Sequence, residues 1–421
     1  MDHRRSHNPN SSYQNRQSAY RRERDDGERN HYENKHFRPH HHPYLPGPTP
    51  WPNPVSSRGL STRRELYERD FPVYKQPVEV GCFSLDAERR FFNDSRQMRY
   101  YVEPDRNPNF DLRDGYKDRY IKRDGSVMEK LDSILRWILA NRSKISSRAP
   151  SYPLDVDFVT WRGHLTKLLT TPYETREGWL LAVTRFKGTL YISEVETEAA
   201  RRERENRTEK HEEMMYWGYK FEQYTCADDV HSLPDPGGVV NTNEAFCTVV
   251  QTRLADHRLL FSGEVDCRDK DPNAPAPPAC YVELKTSAEI CAPKQRSNFH
   301  RFKLLKWWAQ SFLPGVPRVV AGFRDHEGVV VSVETFPISK ISHLIKHEHN
   351  CWKPTVCMNF CCDFLSFVKS IVTEDNPSVV YLFTREPYRD VTYSVHKDSQ
   401  YSFLPHWYVE EMTSQDSHHH S

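Results

Sequence analysis

Apolar residues recur at helical spacing in several parts of the chain. After Met128 they stand three or four positions apart, at Leu131, Ile134, Leu135, Ile138 and Leu139. Residues at this spacing share one side of a helix, so the pattern predicts an amphipathic helix. Further helices are predicted on the same grounds, a short one around Leu165, Leu168 and Leu169, and longer ones over 214–226 and 301–313, the last ended by Pro314-Gly315.

Strand-like patterns lie between these helices. Residues 178–195 favour two strands joined by a hairpin turn at Lys187-Gly188. Further strands are predicted over 259–267 and 280–286, joined by a polar, Pro-rich connection, and over 319–323 and 329–336, around a turn at 325–328. Strands and helices alternate without an internal repeat. The sequence therefore predicts a mixed α/β (α+β) fold, as a single domain to about residue 413.

Composition separates this domain from the chain ends. Residues 1–70 are rich in Arg, Asn, His, Ser and Pro and carry 13 Lys+Arg against 9 Asp+Glu. Such a segment buries too little apolar surface to offset chain entropy, so we expect a disordered tail, with order beginning near Pro72. We expect a catalytic domain over 71–413 and a flexible tail over 414–421. The basic patches of the first tail could touch RNA, but a solvated tail is the simpler account.

Several classes of protein are excluded by what the chain lacks. It has no run of 18 apolar residues, so we expect no transmembrane helix and no membrane partner. Its first residues have no apolar signal region, so nothing signals secretion and we expect no secretory leader. The ten cysteines form no CxxC pair and lie mostly in apolar runs, so we expect reduced thiols rather than disulfides.

Two strand motifs carry the candidate chemistry, Glu264-Val265-Asp266 and Glu283-Leu284-Lys285. Side chains two apart on a strand project from the same face. If the two strands are neighbours, three carboxylates and one ammonium group meet within about 7–10 Å. Carboxylates so close repel one another unless cations neutralise them, and their hard oxygens suit Mg²⁺ or Mn²⁺. Lys285 could then orient or deprotonate a water, or stabilise charge on a phosphate.

A simpler interpretation of these charged residues is that they form the solvent-exposed face of a half-buried sheet. Either motif alone favours that interpretation. The combination favours a metal site, because like charges on adjacent strands are destabilising without a ligand. On the predicted helix 214–226, Gly218 leaves space for a close neighbour and Glu222 can add a fourth carboxylate. Gln310 could hold a phosphate or a base edge, and Arg162 could grip a phosphate bidentately. Taken alone, Gln310 and Arg162 are equally consistent with solvated surface positions.

Several motifs in order resemble the DXO family of decapping and 5′-to-3′ exoribonucleases, relatives of the yeast Rat-one-interacting proteins. The resemblance spans roughly residues 72–412. The motifs are GCFSLDAER from Gly81, WRGHLTK from Trp161, GYKFEQY from Gly218, GEVDC from Gly263, YVELKTS from Tyr281 and KLLKWWAQSFLPGVP from Lys303.

The resemblance implies a nuclease-like domain with a mixed central sheet, related to the acid–x–Lys nucleases. It implies two Mg²⁺ ions, with Mn²⁺ as a substitute, bound by Glu222, Glu264, Asp266, Glu283 and the backbone carbonyl of Leu284. Lys285 and Gln310 would sit against the scissile phosphate and the attacking water, with Glu264 and Asp266 also acting in catalysis. The implied substrate contacts are Arg89, Glu129, Trp161, Arg162, Gly163 and Cys247, with Glu264, Lys285 and Gln310.

The implied substrates are RNA 5′ ends: triphosphate, incompletely capped or unmethylated, NAD-capped and monophosphate. The resemblance also implies a nuclear location, although Arg21-Arg22-Glu23-Arg24 is no clean import signal. We expect a monomer. The alternative is a catalytically weak RNA-end-binding scaffold for a partner exonuclease, which the intact carboxylates and Lys285 disfavour. A zinc site at His343, His347, His349 and Cys351 is disfavoured because no second cluster has structural-zinc spacing.

Overall fold

A two-residue turn shows how directly local sequence sets part of this fold. Lys187 and Gly188 both have positive φ, 49° and 80°, which is the backbone that a type I′ hairpin turn requires. The turn joins the antiparallel strands Trp179–Phe186 and Thr189–Val195. The predicted hairpin is therefore confirmed.

The computed structural model describes residues 59–146 and 153–414, all of which belong to one compact unit, Pro52–Ser421. Residues 1–58, 147–152 and 415–421 lie outside the described residues. Most of the predicted N-terminal tail and nearly all of the C-terminal one fall there. The division into two tails and a catalytic domain accordingly stays a prediction.

Strands supply the framework. In chain order they are β1 (Val78–Leu85), β2 (Phe91–Phe92), β3 (Tyr100–Tyr101), β4 (Phe110–Asp111), β5 (Tyr120–Ile121), β6 (Phe158–Trp161), β7 (Trp179–Phe186), β8 (Thr189–Val195), β9 (Cys226–Ala227), β10 (Val240–Asn241), β11 (Ala245–Leu254), β12 (His257–Glu264), β13 (Cys267–Asp269), β14 (Tyr281–Ala288), β15 (Arg318–Arg324), β16 (Val329–Pro337), β17 (Val379–Arg385) and β18 (Val391–Lys397).

These strands form two large sheets. The first sheet has nine strands in the order β18-β17-β7-β8-β6-β12-β11-β1-β2, and the second has seven in the order β4-β16-β15-β14-β13-β3-β9. Both sheets are mixed: β6 runs parallel to β8 and β12, and β14 runs parallel to β15, while the neighbours β12–β11 and β15–β16 are antiparallel. A small parallel pair, β5 and β10, stands apart. The mixed α/β class is confirmed.

Helices pack on these sheets. In chain order they are α1 (Asp132–Ala140), α2 (Arg142–Ile145), α3 (Arg162–Thr170), α4 (Glu198–Glu205), α5 (Glu209–Thr225), α6 (Pro293–Asn298), α7 (Leu304–Phe312), α8 (Ile338–Leu344), α9 (Pro354–Ile371) and α10 (His406–Ser414). A 3₁₀ turn covers Arg64–Tyr67, and a π-helical turn, Phe299–Lys303, joins α6 to α7. In the described part of the chain no helix has both the length and the apolar character needed to cross a bilayer.

Two predicted helices begin earlier than the apolar pattern indicated. The prediction over 214–226 missed the first turn of α5, where the side chain of Thr208 caps the helix by accepting a hydrogen bond from the His211 amide. The prediction over 301–313 missed α6, which starts with Pro293 in its first turn. The starting signals are a capping hydroxyl in α5 and a first-turn proline in α6, so apolar periodicity alone did not reveal them.

Ordered structure also starts before Pro72, which corrects the expected boundary. Leu60 forms an antiparallel bridge to Val391. Tyr67 is only 2% exposed and packs edge-on against Phe360. The side-chain amide of Asn359 donates to the carbonyls of Tyr67, Arg69 and Asp70. These tertiary contacts order a segment whose composition alone predicts disorder.

Apolar packing fixes the elements that carry the candidate site. The largest core joins the first sheet to α3, α7 and α9 through residues such as Phe261, Leu168 and Phe364. A second core packs α5 on the second sheet, with Phe221 beside Leu284. All ten cysteines are free thiols, as predicted.

Candidate active site

The Glu264-Val265-Asp266 motif lies where the chain passes from the first sheet to the second. Strand β12 ends at Glu264, and β13 begins after Asp266. The prediction of one continuous strand over 259–267 is therefore wrong. Buried Val265 fixes the crossing, since it packs with Phe246 and its amide donates to the Phe246 carbonyl at 2.9 Å. Glu264 thus lies at the end of β12 in the first sheet, and Asp266 lies just before β13 in the second. They do not share the face of one strand.

The two motifs were predicted to lie on neighbouring strands, and this holds for Asp266. Strand β13 is antiparallel to β14, with Cys267 opposite Val282. Asp266 consequently lies beside the second motif, and its Oδ2 accepts a hydrogen bond from the Leu284 amide at 2.6 Å. Strand β12 is not a neighbour of β14 in either sheet. The two acids reach the second motif by the crossing and not by side-by-side pairing of long strands.

Glu283 is the most deeply buried acid of the site, with 2% of its surface exposed. Its two oxygens accept from two cations: Oε1 from Lys285 Nζ at 2.6 Å, and Oε2 from Arg162 at 3.1 Å. Burial opposes its ionisation, but Arg162 and Lys285 outweigh burial and lower the pKa of Glu283 to about 2. Glu283 is therefore a carboxylate held between a guanidinium and an ammonium group.

Glu222 comes from α5, as predicted, and faces the same group of charges. Burial, followed by repulsion from Asp266, raises its pKa well above the ordinary value, although Arg99 opposes that rise. Arg99 donates to Glu222 Oε2 at 3.2 Å. The expected role of Gly218 as a packing position is wrong, because a Cβ added there would meet open space.

Arg99 is a site residue that sequence reasoning missed. It precedes β3, a strand of only two residues, so neither periodicity nor motif spacing marks it. The charges of Glu222 and Asp266 both act on its guanidinium. Only the tertiary arrangement, in which β3 lies beside β13, reveals it.

Arg89, Glu129 and Cys247 lie around Glu264. Cys247 pairs with Glu264 across β11 and β12, and it is 4% exposed. Arg89 forms a bidentate pair with Glu129, at 2.8 and 3.1 Å, and the charge of Glu264 acts on the Arg89 guanidinium. Arg89 adopts a left-handed backbone, with φ at 64°. The structure thus groups these three predicted substrate residues at the Glu264 side of the site.

Trp161 and Gly163 flank Arg162 at the start of α3. The Trp161 ring N–H donates to the carbonyl of Lys130 at 2.7 Å, which fixes the indole beside the residue that follows Glu129. A Cβ on Gly163 would meet open space, so this position faces solvent or a ligand. A Cβ on Gly263 would lie 3.0 Å from three atoms of Arg162. Glycine at 263 therefore leaves room for Arg162 to reach Glu283.

Gln310 lies on α7 and lines a cavity of about 160 Å³ together with Gly163. We call this space the α3–α7 cavity. Within the described ranges the Gln310 side-chain amide has no hydrogen-bond partner in the protein. Gln310 is therefore placed beside the first turn of α3 with its amide available to a ligand, and no described contact joins it to Lys285.

The donor set fits a divalent cation. Burial, followed by repulsion from Glu283, raises the pKa of Asp266 to about 7, and Glu222 is shifted in the same direction. A cation among these oxygens would relieve that repulsion. In residues 59–146 and 153–414, no three His, Cys, Asp or Glu side chains already form a metal shell. Instead the acids engage Arg162, Lys285, Arg99 and the Leu284 amide. His343, His347 and His349 likewise form no such shell.

Comparison with known proteins agrees with this geometry. A model of the family described as RAI1-like PD-(D/E)XK nuclease matches residues 75–409. The chain is 56% identical to the decapping and exoribonuclease protein of Homo sapiens over 365 residues, which cover 86% of this chain and 91% of that protein.

Solved structures show the same fold. Rai1 of Scheffersomyces stipitis matches with a TM-score of 0.72 at 26% identity, over 85% of this chain and 100% of the other. Rai1 of Candida albicans in complex with pU5-Mn²⁺ matches with a TM-score of 0.74 at 24% identity, over 85% of this chain and 100% of the other. The motifs, the crossing between the sheets and the matched length agree: this chain belongs to the RAI1-like PD-(D/E)XK nuclease family.

Proposed function

We propose that the protein hydrolyses phosphorus–oxygen bonds at the 5′ ends of RNA, with a divalent cation. One observation carries the proposal: Asp266, from the crossing between the sheets, lies beside Glu283 and Lys285 of β14, and Arg162 of α3 donates to Glu283. Glu283 is buried, Glu222 and Asp266 are half-buried, and Glu264 is exposed. Acids this close together repel one another unless a ligand compensates their charge. The mixed charge of the site suits a phosphate and a metal ion together.

We infer that Glu222, Glu264, Asp266, Glu283 and the carbonyl of Leu284 hold two Mg²⁺ ions, for which Mn²⁺ can substitute. Mn²⁺ in the Candida albicans Rai1 complex supports a divalent ion of this kind. When bound, such ions neutralise charge on the phosphate and lower the pKa of bound water. The amide of Leu284 is bonded to Asp266, which orients that carboxylate and leaves the Leu284 carbonyl as a separate donor.

Lys285 acts in this proposal as a charged hydrogen-bond donor rather than as a base. Burial opposes its charge, but Glu283 and Asp266 outweigh burial and raise its pKa above the ordinary value. An ammonium group in this state has no lone pair to accept a proton. It orients an attacking water or stabilises a phosphate oxygen instead.

Arg162 and Gln310 complete the proposed phosphate contacts. Arg162 keeps its charge beside the carboxylates, because Glu283, Asp266 and Glu264 outweigh its burial and raise its pKa. Its fork of N–H groups can bind phosphate oxygens. The unpartnered amide of Gln310 can donate to the same phosphate or to a water beside it.

One site then accounts for several reactions. We propose release of pyrophosphate from 5′-triphosphate RNA, removal of incomplete or unmethylated caps and of NAD caps, and 5′-to-3′ degradation of 5′-monophosphate RNA. In each case water attacks a phosphorus near the 5′ end. The bond that breaks depends on how deeply the 5′ group enters the site. The names of the relatives, which include decapping and exoribonuclease activities, support this range.

A double substitution tests the proposal. We expect Glu264→Ala with Asp266→Ala to abolish nucleotide release from 5′-monophosphate RNA in Mg²⁺ while the protein stays folded by circular dichroism. The matched control is Glu103→Ala with Asp105→Ala, two exposed acids at the same spacing. Activity that persists in the first variant would place the chemistry elsewhere, and an inactive wild-type protein that still binds RNA ends would favour the scaffold.

Location and assembly are separate proposals. We propose a nuclear protein and a monomer, on the basis of the family alone. Cell fractionation tests the first, and light scattering after gel filtration tests the second.

A further inference from the structure

Three polar residues lie along one face of α7 and the residue before it. Lys303, Lys306 and Gln310 follow one another at spacings of three and four residues, which places them on the same side of the helix. Both lysines are exposed and Gln310 is half-buried, while the apolar residues between them are buried. We call these three residues the α7 polar face.

The α7 polar face begins beside the strand that carries the catalytic charges. Glu283, Lys285 and Ser287 alternate along β14, so they project from the same side of the second sheet. The Nζ of Lys303 donates to the Oγ of Ser287 at 2.9 Å. The Lys303 ammonium group therefore lies on the Lys285 side of β14, at a strand position about 6.6 Å beyond Lys285.

Charge distinguishes α7 from the other helix that adjoins the acids. Residues 289–312, which include α6 and α7, contain five Lys or Arg and a single acid, Glu289. Helix α5, which supplies Glu222, contains four Glu and two Lys. The whole chain is nearly neutral, with 59 Lys+Arg against 58 Asp+Glu, so the excess of positive charge near α7 is local. An anionic chain that leaves the site is attracted toward α7 and not toward α5.

The α3–α7 cavity does not cancel this positive charge. Lys306 lines the cavity together with two other cations, Lys167 and Arg385, and with two acids, Glu174 and Glu177. Apart from Lys306, the charges of the cavity lining therefore balance. The α7 polar face keeps its own positive charge.

The position of the proposed 5′-end contacts gives the RNA a direction. Arg89 and Cys247 lie around Glu264, which ends β12 in the first sheet. Lys285 and Lys303 lie on the side of the second sheet. An RNA with its 5′ end beside Glu264 and its scissile phosphate at Lys285 consequently continues over α7 on its 3′ side.

We propose that Lys303 and Lys306 bind phosphates of the RNA on the 3′ side of the scissile bond. The two lysines are three residues apart, about 4.5 Å along the helix axis, and each ammonium group contacts a phosphate oxygen. Phosphate contacts carry no sequence information, so this surface holds RNA of any sequence. The proposal rests on the proposed function and extends it from the 5′ end to the strand that follows.

The test is Lys303→Gln with Lys306→Gln, which removes both charges and keeps good helix-forming side chains. Fluorescence anisotropy measures the binding of a 5′-monophosphate RNA of about ten nucleotides in Mg²⁺, with Lys285→Met in every protein to prevent turnover. We expect the affinity to fall about 2- to 30-fold, the combined range for two exposed ion pairs. The slope of log K against log salt concentration should become shallower by about 1.4, which is about 0.7 for each phosphate contact to a single strand.

A shorter RNA and a second variant are the controls. A 5′-monophosphate dinucleotide has no phosphate beyond the scissile one, so its affinity should not change. Lys340→Gln with Lys346→Gln removes the same charge at two exposed positions, on α8 and just after it. This variant should keep both the affinity and the salt dependence for the longer RNA.

Three results would overturn the proposal. The first is an unchanged affinity and salt slope of the α7 variant for the longer RNA. The second is an equal loss in the α8 variant, which would indicate an effect of total charge. The third is an equal loss for the dinucleotide, which would place the lysines at the scissile phosphate. A wild-type protein that shows the expected binding but releases no nucleotide would instead contradict the proposed function, and the 3′-strand contact would stand.

Discussion

At the scale of single residues, the site is an arrangement of opposed charges. Glu283 lies between Lys285 and Arg162, and Glu222 lies against Arg99. Among the residues that the structure describes, the Leu284 amide is the one direct donor to Asp266. The acids therefore differ in protonation although they lie together, with a low pKa for Glu283 and a raised one for Asp266. The carboxylates with raised pKa values are the ones that a cation would stabilise most.

Lys285 gives the first prediction at this scale. Lys285→Met should lower kcat on 5′-monophosphate RNA by about 10²- to 10³-fold, the range for loss of one hydrogen-bond donor that stabilises the transition state. The fold should persist, because the methionine keeps the apolar part of the side chain. Single-turnover kinetics measure the effect. Lys340→Met, at an exposed position on α8, is the control and should retain full activity. Equal rates in all three proteins would remove Lys285 from the mechanism.

Asp266 predicts a pH dependence of stability without metal. Its folded pKa, about 7, lies above the ordinary value of about 4. Below about pH 4 the group is protonated in both states; as pH rises to 7 only the unfolded state loses the proton, so stability falls. Asp266→Asn should therefore stabilise the protein more at pH 7.5 than at pH 5.

Urea unfolding in EDTA at the two pH values measures this difference. Glu283 contributes little to a difference between pH 5 and 7.5. Its folded pKa of about 2 lies below the ordinary 4.5, so it stabilises the folded state above pH 4.5, and that stability is lost as pH falls from 4.5 through 2. A gain in the free energy of unfolding that is the same at pH 5 and 7.5 would contradict the raised pKa of Asp266.

At the scale of elements, much was predictable from local sequence. The hairpin at Lys187-Gly188 follows from turn chemistry, and α1 follows from apolar spacing. The break between β12 and β13 did not follow, because Val265 suits a strand and only its packing against Phe246 shows the crossing. Likewise α5 begins at a capping threonine and α6 at a first-turn proline, and periodicity detects neither.

Two glycines test the packing of α5. Gly218 lies inside that helix with open space at its Cβ position, so Gly218→Ala should raise the free energy of unfolding by about 0.8–1 kcal/mol. Gly322 on β15 faces α5, and a Cβ there would lie 2.6 Å from Phe221. Gly322→Ala should lower the free energy of unfolding by about 1–3 kcal/mol. Chemical denaturation measures the free energy of unfolding of both variants. A destabilised Gly218→Ala protein together with a stabilised Gly322→Ala protein would contradict the described packing.

At the scale of the whole molecule, the site exists because two sheets meet. Sequence spacing predicted the acids and Lys285 and offered Glu222, Arg162 and Gln310 as candidates. The resemblance supplied Arg89, Glu129 and Cys247. The spacing could not show that Glu264 is the last residue of β12 in the first sheet while Glu283 lies in the second sheet. Which sheet a strand joins depends on contacts distant in sequence. Arg99 was missed for the same reason. Long-range pairing, rather than local propensity, determines which charges face one another.

Metal uptake is the most direct test of this account. Calorimetric titration of Mn²⁺ into the Lys285→Met protein, with 5′-monophosphate RNA bound, should show two ions per chain. Adding Glu264→Ala with Asp266→Ala should abolish uptake, while adding Glu103→Ala with Asp105→Ala should leave it intact. No uptake in any protein, or equal uptake in all three, would contradict a metal site at the junction of the two sheets.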